Sequence, residues 1–387
     1  MRAAVIGGKL QGIEAAYLAH KVNWGVVAVD QNEAAPVREL ADLFYCFDIF
    51  EPGALQLLLQ EVDFVIPAIE HAPALEYIYR TARQLGKKIM YTPAAYAISS
   101  SKKRSDKLFH SLGIPAPAVW PDCQLPLILK PSGGSGSHGV QKLYTEREFK
   151  TFCFAHKDWK SWVIQEFLDG PSYSIEIVAQ NGFFRTFQVT ELEMDEIYDC
   201  KRVLAPANLP AELMQRFSDC AVRLAQAVKL DGIMDVEVIL HEGELKVLEI
   251  DARLPSQTLT AVIKSTGINP LRVYEEGLKE GSASEYTMLR PRQHVLYEHI
   301  LVTRDKIKVC GEHIMAGRGP LHYQQDFFGA GEALTSYNPR EKQKEWAATL
   351  VLTASSREAA RAKEQLVIHN IMQAAGVHCY EDFAPGD

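Results

Sequence analysis

Two short segments bring carboxylates together with an arginine. They are Ile233-Met234-Asp235-Val236-Glu237-Val238-Ile239 and Leu248-Glu249-Ile250-Asp251-Ala252-Arg253-Leu254-Pro255-Ser256-Gln257. Both alternate apolar and polar residues, and the turn-like His241-Glu242-Gly243-Glu244 lies between them, which predicts an antiparallel hairpin. A period of two puts Glu249 and Asp251 on one face, with Glu237 on the partner strand. Carboxylates held in apolar strands are costly without a counter-charge. A hard divalent cation such as Mg²⁺ takes oxygen ligands and commonly sits between carboxylates and phosphates. Arg253 follows at once and suits bidentate capture of a phosphate or carboxylate. The pattern predicts carboxylate–metal–phosphate chemistry; the alternative is an exposed hairpin neutralised by surface salt bridges.

A second candidate is Ser132-Gly133-Gly134-Ser135-Gly136-Ser137-His138-Gly139, which follows an apolar strand over 127–131 carrying Lys130. Glycines let backbone N–H groups approach phosphate oxygens, and serines such as Ser137 add donors. No Gly-Lys-Ser/Thr closes the loop, so it is not a Walker A sequence. Twelve histidines are dispersed without metal-ligand spacing, and His138 stands out only by its place in this loop. The apolar strand around Glu166-Phe167-Leu168 could present its backbone to an adenine; an ordinary core strand with Glu166 exposed fits as well.

These segments need a scaffold. Residues 1–95 alternate short apolar strands (3–6, 25–29, 63–67, 88–91) with helical patterns (13–20, 54–60, 76–85), which implies a parallel sheet. Gly7-Gly8-Lys9-Leu10-Gln11-Gly12 opens the first helix, where N–H groups attract anions. Asp30 ends the second strand as a ribose-binding acid would, but the G-x-G spacing of a dinucleotide fingerprint is absent. Glu70 stands at the carboxyl edge of the same sheet, where ligands tend to lie. Asp48 and Ile49 also follow a short strand, so Lys9, Asp30, Asp48 and Ile49 are candidates for an auxiliary nucleotide site. Further along, the pattern predicts one helix over 96–112 carrying Lys102-Lys103-Arg104. It also predicts a hairpin around Asn181-Gly182, an amphipathic helix over 211–228 and a helix over 357–374.

At 387 residues the chain suits two or three domains. The expected division is 1–95, a central lobe over 96–170 with the glycine-rich loop, and a lobe over 171–387 with the metal-binding hairpin and a C-terminal extension. A formal charge of −8 gives no basic footprint, which argues against nucleic-acid partners. Seven scattered cysteines without C-x-x-C show no zinc or redox motif and suit reduced thiols, hence a cytoplasmic setting. No signal peptide and no long apolar run are seen, so no membrane association is expected. A homodimer is left open.

In order, the N-terminal αβ domain, Lys102, Lys130 with its glycine-rich loop, Glu166-Phe167-Leu168, and Glu237, Glu249 and Asp251-x-Arg253 resemble the ATP-grasp superfamily. The resemblance implies an α/β fold, with a Rossmann-like N-terminal domain followed by an ATP-grasp fold that holds ATP between two lobes. It implies that Lys102, Lys130, Ser137 and His138 meet the nucleotide, that Glu166–Leu168 hold adenine, and that Glu237, Glu249 and Asp251 bind Mg²⁺. Asp251 stands where the family usually has Asn, and serine stands near the usual ribose-binding Glu. More distinctive segments resemble the ligase family of pyrrolysine biosynthesis. They are Gly7–Gly12, Glu14-Ala15-Ala16-Tyr17-Leu18, Phe44-Tyr45-Cys46-Phe47-Asp48-Ile49, Tyr198-Asp199-Cys200, Gly232–Glu237 and Glu249–Thr258.

That resemblance implies an ATP-dependent joining of 3-methyl-D-ornithine to the ε-amine of L-lysine through an acyl phosphate, with Lys130 and Arg253 as catalytic cations. Charge logic then assigns Glu176 and Asp235 to the ammonium groups of the ornithine, and Ser174, Ser256, Gln257 and Thr258 to its polar ends. Lysine is expected near Leu10, Gln11 and Glu70. Alternatives are a bicarbonate-using purine-pathway carboxyamine ligase, a nicotinamide-dependent dehydrogenase built on the first domain, and a non-catalytic nucleotide sensor.

Overall fold

The computed structural model describes residues 1–133, 139–278, 291–341 and 343–386. The N-terminal region is a five-stranded parallel sheet in the order Leu43–Cys46, Gly25–Asp30, Arg2–Ile6, Phe64–Pro67, Lys88–Ile89. Its inner strands are apolar nearly throughout because helices cover both faces. The turn into the first helix, Leu10–His20, is tight: a Cβ on Gly12 would lie 2.1 Å from the Gly7 carbonyl oxygen, so only glycine fits.

A small antiparallel sheet, Gln141–Leu143, Leu127–Lys130 and Val163–Glu166, forms a second unit. The remainder is one large sheet, whose main path starts at the acidic hairpin Glu244–Asp251 and Gly232–His241. It continues through Ser172–Gln180, Thr190–Met194, Cys200–Ala205, His294–Val302, Trp346–Ala354 and Glu332–Thr335 to His322–Gln325. Both predicted hairpins are present, and each turns through two residues of positive φ, Asn181-Gly182 and Glu242-Gly243. The helices expected at 211–228 and 357–374 are Ala211–Ala227 and Arg357–Ala375.

The helix expected over 96–112 is two helices, Pro93–Ser99 and Lys102–Ser111. Ser101 adopts an extended conformation at their junction, as serine favours at a helix start. The break sets Lys102 in the first turn of the second helix, with its N–H 2.8 Å from the Ser132 carbonyl at the start of the glycine-rich loop.

The first sheet docks on the large one through a shared core that includes Ala16, Leu18 and Phe64 on one side and Leu259, Val262, Leu271 and Tyr274 on the other. Within it Glu14 is fully buried, and its two oxygens accept the Thr260 N–H (2.6 Å) and hydroxyl (2.7 Å). Glu14 thus caps the helix Thr258–Thr266 and fixes the segment just before it, which belongs to the site. No helix among the described residues is long and apolar enough to cross a membrane.

Candidate active site

The hairpin register sets Asp235 opposite Asp251 and Glu237 opposite Glu249. The neighbouring strand sets Glu176 beside Asp235 and Ser174 beside Glu237. Period two then collects Ser174, Glu176, Asp235, Glu237, Glu249 and Asp251 on one face. The alternate residues, including Ile175, Ile177, Met234, Val236 and Ile250, are buried in the core behind. The expected face-sharing of Glu249 and Asp251 therefore holds, and Asp235 and Glu176 join them. A bulge after Glu237 marks the hairpin next to the cluster.

Cations reach this face from three directions. Lys102 Nζ lies 2.6 Å from Glu249 Oε1. Arg253 bridges Asp251 (3.1 Å) and Glu70 of the first domain (2.8 Å), and Glu70 also accepts from Gln11 Nε2 at 2.8 Å. Lys130 is buried at the end of its strand, and burial pulls its ammonium below the ordinary range while Glu249 and Glu237 oppose that. Asp235, Glu237 and Glu176 have no ion pair among the described residues; Asp235 Oδ1 and Glu176 Oε2 are buried there without a hydrogen bond.

The electrostatic consequence is plain. Burial, then Glu249 and Asp251, push the Glu237 carboxyl up to about 8. Burial pushes Asp251 to about 7 and Glu176 to about 7. Asp235 is raised well above the carboxylate range by burial and by Asp251 and Glu237. Such a face needs further positive charge to be fully ionised. Its oxygen donors suit Mg²⁺, with Glu237, Glu249 and Asp251 as the residues to hold it. As they stand, no three His, Cys, Asp or Glu side chains among the described residues converge closely enough to hold a metal by themselves. Glu249 is paired with Lys102 and Asp251 with Arg253, and Mg²⁺ commonly completes its shell with substrate phosphates.

One cavity joins these groups. It is lined by Leu10, Gln11 and Glu70 from the first domain, by Lys102, Lys130, Glu166, Phe167 and Leu168 from the central unit, and by Asp235, Glu237, Glu249, Asp251, Arg253, Ser256, Gln257 and Thr258 from the large sheet. Ser174 and Glu176 are buried directly behind that lining, with Ser174 Oγ donating to Glu176 Oε1 at 2.9 Å. At the hinge, the N–H groups of Glu166, Phe167 and Asp169 go to Ala118 O, Pro126 O and His241 Nδ1. Leu168 is left as the hinge residue whose N–H has no partner among the described residues. Glu166 itself is held by Lys246 at 2.6 Å, and the Lys142 ammonium lies over the Phe167 ring, 3.3 Å from its centroid.

Other expected residues fall elsewhere. Lys9, Asp30, Asp48 and Ile49 do not line the cavity. Asp30 accepts the N–H groups of Gly8 (2.7 Å) and Asn32 (2.8 Å), Asp48 accepts that of Phe50 (3.0 Å), and Ile49 is packed in the first-domain core. Both acids therefore brace their own loops. Ser137 and His138 lie outside the described residues.

Sequence reasoning missed a fourth wall of the cavity, made by Met194, Tyr198, Asp199 and Cys200 with Glu312 and His313. The Asp195 side chain shapes it, accepting the N–H groups of Ile197 and Asp199 (both 3.0 Å) and of Gly311 (2.9 Å). A Cβ on Gly311 would lie 2.1 Å from the Asp199 side chain, so glycine lets the two loops touch. The only sequence signals were Tyr198-Asp199-Cys200, noted without a role, and that glycine. Nothing local ties Glu312 to a strand some 110 residues earlier.

The chain matches the ATP-grasp domain family over residues 79–257. It is 34% identical, over 314 residues, to the 3-methyl-D-ornithine–L-lysine ligase of Methanosarcina acetivorans, which covers 81% of this chain and 83% of that one. Among solved structures it is similar to the biotin carboxylase domain of 2-oxoglutarate carboxylase from Hydrogenobacter thermophilus, solved as a dimer with MgADP, ADP and bicarbonate. The TM-score is 0.72 at 13% identity over 94% of this chain and 88% of that one. An ADP complex of N5-carboxyaminoimidazole ribonucleotide synthetase superposes with a TM-score of 0.69 at 15% identity over 96% and 97% of the two chains. At such identities the structural likeness concerns the fold alone.

Proposed function

This chain belongs to the 3-methyl-D-ornithine–L-lysine ligase family of ATP-grasp enzymes, and we propose from that premise how its residues form the amide. The reaction is the ATP-dependent joining of the α-carboxylate of 3-methyl-D-ornithine to the ε-amine of L-lysine. The carboxylate attacks the γ-phosphorus of ATP and ADP leaves. The amine nitrogen then attacks the acyl carbon, the C–N bond forms, the C–O bond to phosphate breaks, and phosphate departs.

Phosphoryl transfer asks the protein for alignment and charge neutralisation more than for a nucleophile. Glu237, Glu249 and Asp251 would hold Mg²⁺, which would supply neutralisation of phosphate charge there. Lys130 and Lys102 flank the same acids and meet the remaining phosphate charge. Arg253, locked between Asp251 and Glu70, stands where a carboxylate and the phosphoryl group must meet. Leu168 N–H offers the donor an adenine ring nitrogen needs. Lys9, Asp30, Asp48 and Ile49 have no part in this step.

Substrate recognition follows the unbalanced charge. A diamino acid brings two ammonium groups, and Asp235 and Glu176 are buried acids with an oxygen left open. Ser174, Ser256, Gln257 and Thr258 supply neutral polar partners around them. Glu70, Gln11 and Leu10 border the cavity from the first domain, on the side from which lysine approaches.

The observation that carries this reading is the single face of four carboxylates that line one cavity, Asp235, Glu237, Glu249 and Asp251, with Glu176 buried behind them and Lys102, Lys130 and Arg253 beside them. It fits a nucleotide and a dicationic substrate. The fold likeness to N5-carboxyaminoimidazole ribonucleotide synthetase carries no substrate, because identity there is only 15%. The test is mass spectrometry of products after incubation with ATP, Mg²⁺, L-lysine and D-ornithine as a surrogate. The amide and stoichiometric ADP are expected. ADP formed without any amide, or nucleotide bound without turnover, would reject the reading.

A further inference from the structure

An acyl phosphate is attacked by a neutral amine, yet the lysine ε-amine has a pKa of roughly 10.4 and enters as an ammonium ion. The residues assigned above neutralise negative charge or hold cations; none of them takes a proton. The fourth wall of the cavity carries a group of the right kind.

His313 opens the short helix His313–Ala316 and lines the cavity beside Glu312 and Asp199. Its Nδ1 lies 3.0 and 2.9 Å from the two Asp199 oxygens, and its backbone N–H is 3.2 Å from Asp199 Oδ2. Asp199 is itself buried and held by the Asp195 turn. A carboxylate on Nδ1 keeps the proton there and leaves Nε2 as the acceptor, the arrangement of an oriented general base. His313 is partly exposed, so its free edge reaches the cavity rather than the core. Next to it, Glu312 Oε2 is buried with no partner among the described residues, an open acceptor for a cation.

We infer that His313, oriented by Asp199, takes the proton from the lysine ε-ammonium, and that Glu312 helps to hold that ammonium before transfer. The inference rests on the ligase reading. The ammonium N–H bond breaks, the proton passes to His313 Nε2, and the freed nitrogen pair forms the C–N bond. The C–O bond to phosphate then breaks, and the second N–H proton of the adduct leaves with the departing phosphate, which gives the neutral amide. The imidazolium then returns its proton to phosphate or solvent. The charged and titratable groups around His313 are Asp199, Glu312, Glu70 and His299. Hydrogen bonding to Asp199 raises the imidazole above its ordinary value, which narrows the gap to the amine.

The test uses the full chain with ATP, Mg²⁺ and D-ornithine, and compares two acceptors, L-lysine and hydroxylamine, the latter already neutral at pH 7.5. In His313→Asn, kcat/KM for lysine is expected to fall about 100-fold or more at pH 7.5, the usual size of a lost general base. It should recover about tenfold per pH unit as the pH rises toward the amine pKa. Hydroxamate formation should fall far less than the lysine reaction. Asp199→Asn should show the same split in weaker form. Equal losses with both acceptors would overturn the inference, and so would a rise in KM for lysine with no change in pH profile. Absence of both the lysine amide and the hydroxamate in the wild type would instead defeat the ligase reading on which the inference stands; where only the amide forms, the pH profile of His313→Asn decides.

Discussion

The large sheet carries two clusters of charge that do opposite things. On the face toward the cavity, Asp235, Glu237 and Glu176 have no ion pair among the described residues. Behind the sheet, Arg202 is buried among carboxylates that it pairs with: Glu298 (Nε at 2.6 Å), Glu193 (2.5 Å), Glu364 (3.0 Å) and Asp382 (2.9 Å), although Glu298 Oε1 keeps no hydrogen-bond partner among the described residues. Lys201 adds a bond to Asp382 at 2.6 Å, and Arg361 pairs with Glu193 and Glu364. The rear cluster brings its own cations and ties the C-terminal segment and the helix Arg357–Ala375 to the sheet. The front cluster has Lys102 on Glu249 and Arg253 on Asp251 but, among the described residues, no ion pair for Asp235, Glu237 or Glu176, so the rest of its balance has to come from what binds there. In these two clusters the rear acids, whose cations the fold supplies, read as structure, and Asp235, Glu237 and Glu176, for which the described residues supply none, read as part of a site.

The sharpest way to break this contrast is one neutral substitution in each cluster. Glu237→Gln removes a charge but keeps the volume, so ligation should fall beyond about 10⁴-fold, roughly 5 kcal/mol or more in the barrier. Folding should be unchanged or slightly improved, since one of several repelling acids is gone. Steady-state turnover and thermal melting on the same sample decide it, and near-normal turnover at ordinary Mg²⁺ would sink the metal assignment. Arg202→Met should do the reverse. It leaves four acids short of their shared cation and should cost about 3–5 kcal/mol of stability. The folded fraction should keep its Michaelis constants. A shifted KM for any substrate would mean the rear cluster is part of the site.

The two clusters were not equally legible in the sequence. The front one is written in local periodicity: Glu237, Glu249 and Asp251 recur at strand spacing around a short turn, and their face follows from chain geometry alone. The rear one draws on residues 193, 202, 298, 364 and 382, and no local pattern joins them. The same limit hid Glu312 and His313, which enter the cavity across a contact between the 195–200 loop and Gly311. Asp30 and Asp48 show the converse ambiguity. Strand-end acids resemble ligand contacts, but here they satisfy backbone N–H groups of their own loops.

Within the front cluster, metal-side and substrate-side acids should separate. Asp235→Asn leaves an ornithine ammonium without its partner, at a cost of roughly 2–5 kcal/mol, about 30-fold or more in affinity. Its apparent KM for ornithine should rise far more than that for ATP. Glu70→Gln should weaken lysine use, because Glu70 stands on the first-domain side of Arg253. Michaelis constants for all three substrates in both variants check this. Equal impairment of ornithine, ATP and lysine by Asp235→Asn would place the pocket wrongly.

The finest test lies at two adjacent residues on opposite faces of one strand. Glu298 faces rearward into the Arg202 cluster, whereas His299 faces the site, with Nε2 3.2 Å from Gln257 Oε1 and Nδ1 2.9 Å from Thr349 Oγ1. Thr349 and Gln257 can satisfy a neutral ring with one proton, on Nε2, which leaves the Gln257 amide N–H groups to donate into the cavity. Burial lowers this imidazole to about 4 from an ordinary 6.5. The unfolded chain therefore takes up the proton first as pH falls. The stability due to neutral His299 is fully present above pH 6.5 and is lost progressively toward pH 4. Between pH 6.5 and 5 this amounts to about 2 kcal/mol, since one pKa unit is about 1.36 kcal/mol. Other groups titrate over the same range, so the quantity to measure is the difference in denaturant stability between the wild type and His299→Gln as a function of pH. That difference should shrink by about 2 kcal/mol over the interval, as only the wild type carries the histidine. Parallel curves would mean that His299 takes up its proton in the folded protein as readily as in the unfolded chain, and the orientation assigned to Gln257 would then fail with it.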